Sequence, residues 1–133
     1  MSNKIKLLVV EDVLPLANLI KQSLIRKGCE VFIACTLEQS KRVIQDNEDI
    51  AAVWLDHYLV GGGSGYDFLL FLKSKDSKYK DVPVFLVSNS VTQEKIEEYK
   101  MGGIDNYYVK SKHHLDEISE DIIKRLSSNR KSL

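Results

Sequence analysis

Five short apolar runs alternate along this chain with segments of helical periodicity, and that alternation restricts the fold more than any other feature. The first run, Ile5 to Val10, is almost continuously apolar and stops at Glu11-Asp12. From Leu14 to Lys27, Leu16, Leu19, Ile20 and Leu24 recur at helical spacing, predicting an amphipathic helix closed by Gly28. Glu30 to Cys35 is the next strand; Thr36 and Gln39 match a capping box opening a helix through about Asp46. Ala51 to Leu55 (AAVWL) is the third strand and delivers Asp56. A glycine-rich loop, Gly61-Gly62-Gly63-Ser64-Gly65, leads to a helix from Tyr66 to Ser74. Val82 to Val87 is the fourth strand, ending at Ser88, and a helix from Thr92 to Lys100 stops at Gly102-Gly103. Asn106 to Val109 is a short fifth strand ending at Lys110, and Leu115 to Leu126 is the last helix.

Strands one, three and four are apolar on nearly every residue, so both of their faces should be covered. The pattern predicts an α/β fold, a parallel sheet with helices on both sides and right-handed crossovers. One domain is expected over residues 1–126, followed by a short polar tail over 127–133. The basic run Lys124-Arg125 through Arg130-Lys131 is expected to be solvated and partly frayed.

Lys plus Arg equals Asp plus Glu at 19 each, a balance that argues against a nucleic-acid-binding module. No apolar stretch approaches the length of a membrane span or a signal segment, so no membrane partner is expected and the cytoplasm is. Cys29 and Cys35, six apart on one strand, would stand roughly 20 Å from each other, beyond disulfide reach. They are expected to be reduced thiols, and nothing nearby completes a zinc site.

The polar residues fall at one kind of place. Glu11-Asp12, Asp56, Ser88 and Lys110 each lie at the C-terminal end of a different apolar strand. In an open α/β sheet that edge is where ligands bind. Three carboxylates gathered there repel one another unless Lys110 and a divalent cation offset them. An all-oxygen donor set suits Mg²⁺ (or Mn²⁺) and not zinc. Each residue also has a plain alternative. Asp12 could cap the first helix, Ser88 or Ser90 the fourth, and Glu11 and Lys110 could be solvated. Asp56 is different, because a carboxylate directly after AAVWL on a central strand needs partners or a metal.

IKLLVVED, AVWLD, VPVFLVSNS and GIDNYYVK resemble, in order and spacing, the four signature segments of the response-regulator receiver family of two-component signalling. The resemblance runs from Lys4 to Leu126. It implies a flavodoxin-like, doubly wound sheet of five parallel strands in the order 2-1-3-4-5, with five helices. It implies that Asp56 accepts a phosphoryl group from a histidine kinase or a histidine phosphotransfer protein. Asp12 and Asp56 would ligate the metal, Glu11 would assist through water, and Tyr58 would supply its backbone carbonyl. Ser88 would hydrogen-bond a phosphoryl oxygen, Lys110 would pair with the phosphate, and Tyr107 would be the aromatic switch residue. A downstream protein would then read the surface between the fourth helix and the fifth strand. Such a chain is a switch, not an enzyme, with at most self-phosphorylation from small donors and self-dephosphorylation.

Some residues depart from the family pattern. Ser111 follows Lys110 where proline is usual, so no cis peptide is expected there, at a cost of ~3 kcal/mol for a non-proline bond. Asn89 replaces a small residue, and with Tyr58 it is expected to shield the acylphosphate and slow its hydrolysis. The loop containing Val60 and three glycines is longer than usual and should be more flexible. His57, His113 and His114 are expected to face solvent or loops, and Trp54 to pack in the core.

Two enzyme-like readings fail on spacing. A dinucleotide fingerprint in GGGSG would need glycine where Tyr66 or Phe68 stands. A haloacid-dehalogenase-like phosphatase would need a second Asp where Tyr58 stands. The alternatives that stay open are a receiver-like interaction module that takes no phosphate, and a receiver fragment of a longer regulator or hybrid kinase. With only SSNRKSL after the last helix no output domain is expected, and the start MSNKIKLLVVED slightly favours the expectation of a stand-alone regulator.

Overall fold

All five apolar runs are strands, and every pairing between them is parallel. β1 (Lys6–Val10) lies between β2 (Glu30–Ala34) and β3 (Ile50–Leu55), with β4 (Val84–Ser88) and β5 (Asn106–Val109) continuing beyond β3. The helices between them are α1 (Leu14–Arg26), α2 (Leu37–Asp46), α3 (Gly65–Leu72), α4 (Gln93–Gly102) and α5 (Leu115–Lys131). A short 3-10 turn, Lys110–Lys112, follows β5. The structure, a computed structural model, describes residues 4–131, and side chains over residues 4–128. The strand order is 2-1-3-4-5, as the signature segments implied.

Alternation along the strands divides the core into two layers. Leu8, Val10, Val53, Leu55, Val84 and Leu86 pack with Ile44 of α2, Phe68, Leu69 and Leu72 of α3, and Tyr99 of α4. On the other face Leu7, Val9, Trp54, Phe85 and Val87 meet Ile20 and Leu24 of α1 and Ile118, Ile122 and Leu126 of α5. With both faces covered, β1, β3 and β4 are apolar almost throughout, as their sequences predict. Trp54 is buried, and its indole N–H has no acceptor among the described residues.

Several boundaries differ from the sequence reading. β4 starts at Val84, not Val82, because Pro83 offers no N–H to the ladder. α3 starts at Gly65, not Tyr66, where Ser64 and Asp67 form a reciprocal capping box, and it ends at Leu72, not Ser74. In α2 the Thr36 hydroxyl accepts from Gln39 N as expected, but Gln39 Oε1 reaches back to Cys35 N instead of Thr36 N. α5 does not end at Leu126. It continues to Lys131, so the basic run expected to fray is helical, supported by the Glu120–Lys124 and Asp121–Arg125 pairs. Met1–Asn3 and Ser132-Leu133, at the two ends of the expected domain and tail, lie outside the described residues. Among the described residues no helix is long and apolar enough to cross a membrane.

Parallel pairing sends every strand's C-terminal end to one edge. Val10 stands beside Leu55 and Ala34, and Ser88 beside Val109. The residues just past those points are therefore neighbours in space, however far apart in sequence.

Candidate functional site

Glu11 and Asp56 follow directly on β1 and β3, and the sheet's hydrogen bonding reaches past the strands to hold them. Glu11 N donates to Ala34 O at 3.0 Å, and Asp56 N to Val10 O at 2.9 Å. Glu11 is fully buried and Asp56 is 3% exposed. Asp12, half-buried, completes a group in which Glu11, Asp12 and Asp56 bring carboxylate oxygens within 4.8 Å of one another.

Both oxygens of Asp56 are engaged. Oδ1 accepts from Ser88 Oγ at 2.7 Å, and Oδ2 accepts from Lys110 Nζ at 3.1 Å. Lys110 also donates to Glu11 Oε1 at 2.7 Å, while Glu11 Oε2 accepts from Val13 N at 3.1 Å. Four strand ends thus converge as the sequence suggested. The plain alternatives do not hold for Asp12 or the serines. The N-cap of α1 is Val13, with no side-chain bond, and the N-cap of α4 is Thr92, whose hydroxyl accepts from Lys95 N.

Burial pushes the Glu11 carboxyl up to about 7, and the neighbouring Asp12 and Asp56 add to the rise while Lys110 opposes it. For Lys110, burial works against the ammonium, but the Glu11 and Asp56 carboxylates outweigh it and raise its pKa. One ammonium set among three carboxylates leaves a site that favours a further positive charge. The cluster contains neither histidine nor cysteine, and such an oxygen-only donor set fits a hard divalent cation.

The remaining candidates lie around the rim. Tyr58 is 51% exposed, and its hydroxyl donates to Ser90 O at 2.9 Å, tying the loop after β3 to the loop after β4. Tyr107 is half-buried, packs against the core layer on the α3–α4 side, and lines a groove with Ile96, Lys100 and Ile104. Asn89, expected to shield the acylphosphate, has its Oδ1 accepting from Ser111 N at 2.8 Å. No peptide bond is cis among the described residues.

Two features escaped the sequence reading. His57, expected to face solvent or a loop, does lie in the loop after β3, but its partner was not foreseen: it is half-buried, with Nδ1 2.5 Å from the hydroxyl of Tyr99, itself fully buried on α4. A tyrosine on the apolar side of a helix needs a partner for its hydroxyl, and that was the available signal. Gly65, read as loop, packs on the backbone of Asp56, where an added Cβ would stand 2.2 Å from Asp56 O. One glycine in a run of them carries no distinguishing mark.

An open parallel sheet in this order, with an acidic pocket at its carboxyl edge, is the design of receiver domains. No family model matches the chain, and no curated protein matches it in sequence. Solved structures do match. The chain is similar to a response regulator receiver domain protein (CheY-like) from Methanospirillum hungatei, with TM-score 0.84 and 22% identity over 98% of this chain and 100% of that one. It is similar to the chemotaxis response regulator CheY4 of Vibrio cholerae, with TM-score 0.81 and 21% identity over 93% of this chain and 99% of that one. The non-phosphorylated HemR receiver domain from Leptospira biflexa gives TM-score 0.82 and 23% identity over 93% and 95%. The fold is the CheY-like receiver fold.

Proposed function

We propose that this chain is a phosphoacceptor receiver of a two-component or phosphorelay system, with Asp56 as the acceptor. The observation that carries the reading is the state of the Asp56 carboxylate. A buried acid is held at one oxygen by a hydroxyl and at the other by an ammonium, beside two more acids. Those are the groups needed to grip a phosphoryl group and steady its charge.

The donor is a phosphohistidine on a histidine kinase or phosphotransfer protein. An Asp56 oxygen forms the new O–P bond as the P–N bond breaks. The electron pair returns to the imidazole nitrogen, which takes up a proton from solvent. Lys110 pairs with a phosphoryl oxygen, and Ser88, released from Asp56 Oδ1, donates to another. Glu11, Asp12, Asp56 and the Tyr58 carbonyl would hold Mg²⁺ (or Mn²⁺), which when bound offsets charge on the transferring oxygens. The shift of Ser88 lets Tyr107 turn inward and reshapes the surface of α4 and β5, where a downstream protein reads the state. The functional unit is the single domain from β1 through α5, acting in the cytoplasm as a switch and not by catalytic turnover.

Mass spectrometry after incubation with acetyl phosphate and Mg²⁺ tests this. Wild type is expected to gain one phosphoryl group and Asp56→Asn none. A wild type that gains none, and shows no thermal response to beryllofluoride with Mg²⁺, is an interaction module and sinks the reading.

A further inference from the structure

Two residues at the rim do not bond to Asp56, yet each directly follows one that does. Asn89 follows Ser88, Ser111 follows Lys110, and the Ser111 N–H donates to Asn89 Oδ1 at 2.8 Å. The β4–β5 pairing ends at Ser88 and Val109. The bond therefore ties the two chains together just beyond the ladder, with a side-chain carbonyl acting as the acceptor. It falls in the 3-10 turn whose first residue, Lys110, sends its ammonium to Glu11 and Asp56. The opening N–H groups of a helical turn have no partner inside it and must find one elsewhere.

We infer that Asn89 is a positioning residue, which holds the Ser111 N–H and so aims Lys110 at the Asp56 carboxylate. The inference rests on the phosphoacceptor reading and adds a residue to that site. A lysine ammonium rides on a long flexible stem, so its aim depends on where its backbone is fixed. The Lys110 backbone opens a turn at an edge strand, and the Asn89 contact is a side-chain bond that anchors it. Asn89 and Ser111 also account for each other. Ser111 keeps a backbone N–H that proline would lack, and Asn89 supplies an acceptor that a short aliphatic side chain would not. The same contact joins the residue after Ser88 to the residue after Lys110, so the backbones that carry the hydroxyl and the ammonium are linked at the rim.

Ser111 is exposed and Asn89 only half-buried, so the bond adds little to stability. Its expected effect is on rate. The initial rate of Asp56 phosphorylation by acetyl phosphate with Mg²⁺ measures it, a step in which the O–P bond to Asp56 forms as acetate leaves. Asn89→Ala is expected to react roughly tenfold more slowly than wild type with an unchanged melting temperature. Asn89→Asp, which keeps an acceptor oxygen, is expected to recover most of the rate. Three outcomes overturn the inference while leaving the acceptor reading intact. They are an Asn89→Ala rate equal to wild type, a loss that Asn89→Asp does not restore, and a loss that follows a lowered melting temperature. A wild type that takes up no phosphoryl group overturns the acceptor reading, and this inference with it.

Discussion

The acid half of the pocket and the half facing it are built by different means. Glu11 and Asp56 hang from two central strands by ladder hydrogen bonds, with covered sheet on either side. Across from them, Ser88 closes β4, but Lys110 sits in a 3-10 turn after the edge strand. The loops there are tied by single side-chain contacts, Tyr58 to Ser90 and Asn89 to Ser111. Ser90, with φ of 56, even takes a left-handed conformation that few non-glycine residues adopt. Strand-anchored groups are costly to move, whereas loop groups held by one or two contacts rearrange for little. On the proposed reading of Asp56 as acceptor, a fixed acid facing an adjustable grip suits a charge-driven switch.

The comparison breaks most severely at its fixed side. Gly65→Ala would drive a methyl group into the Asp56 carbonyl, 2.2 Å away, with the Tyr99 hydroxyl at 3.0 Å. Neither backbone can yield without moving the start of α3, so a loss of about 3 kcal/mol or more is expected in urea denaturation. A loss under about 1 kcal/mol would show that the Asp56 segment is as adjustable as the loops opposite.

The acids also carry a pH signature. The Glu11 carboxyl is raised from 4.5 to about 7, so between those values the folded chain holds a proton that the unfolded chain has released. Stability of the metal-free protein is therefore expected to be fully present below about 4.5. It is lost as pH rises through about 7, by at most about 3 kcal/mol. Glu11→Gln should flatten that slope in thermal melts between pH 4.5 and 7.5. A metal-free wild type that gains stability over this range contradicts the assignment.

On the adjustable side, Lys110→Ala leaves the Glu11 and Asp56 carboxylates facing each other without their cation. Lys110 keeps some contact with water, its side chain being 19% exposed, so the expected cost at pH 8 is about 2 kcal/mol, below that of a fully buried pair. At pH 5 protonation of Glu11 relieves the repulsion, and the cost should shrink. Equal losses at both pH values would mean that the lysine contributes packing and not charge.

What the sequence revealed follows the same division. The central strands were legible because burial on both faces demands unbroken apolar runs, and the acids were legible because they interrupt such runs. Ser88 and Lys110 could be placed for the same reason, at the ends of VPVFLVS and NYYVK. The contacts of the rim were not legible. Asn89 reads from sequence as a shield, and only the fold sets Ser111 N beside it. His57 looks like a solvent-facing residue until α4 brings Tyr99 to it across 42 positions of sequence. The α3 start was hidden because Gly65 is required by a tertiary approach, whereas local sequence assigns glycine to the loop. Helix α5 outran its apolar stripe because hydrogen bonds and ion pairs extend a helix beyond the face it buries.

The smallest expected effect on stability concerns Tyr58. The residue is 51% exposed, and its hydroxyl contact to Ser90 O is a surface bond, so Tyr58→Ala should leave the melting temperature close to wild type. The effect belongs on the lifetime of the phosphorylated state. Asp56 and Ser88 are joined by a hydrogen bond at the pocket floor, and two residues further along each chain Tyr58 is joined to Ser90. On the phosphoacceptor reading, a ring stretched between those two loops is expected to restrict the path by which water reaches the acylphosphate. Removing it is expected to speed loss of the phosphoryl group severalfold, while the rate of its gain from acetyl phosphate changes less, because Ser88 and Lys110 remain. Following decay of the phosphorylated protein by mass spectrometry after removal of the donor separates the two steps. An unchanged decay would assign the Tyr58–Ser90 contact to loop anchoring alone and leave Asn89 as the rim residue with a chemical consequence.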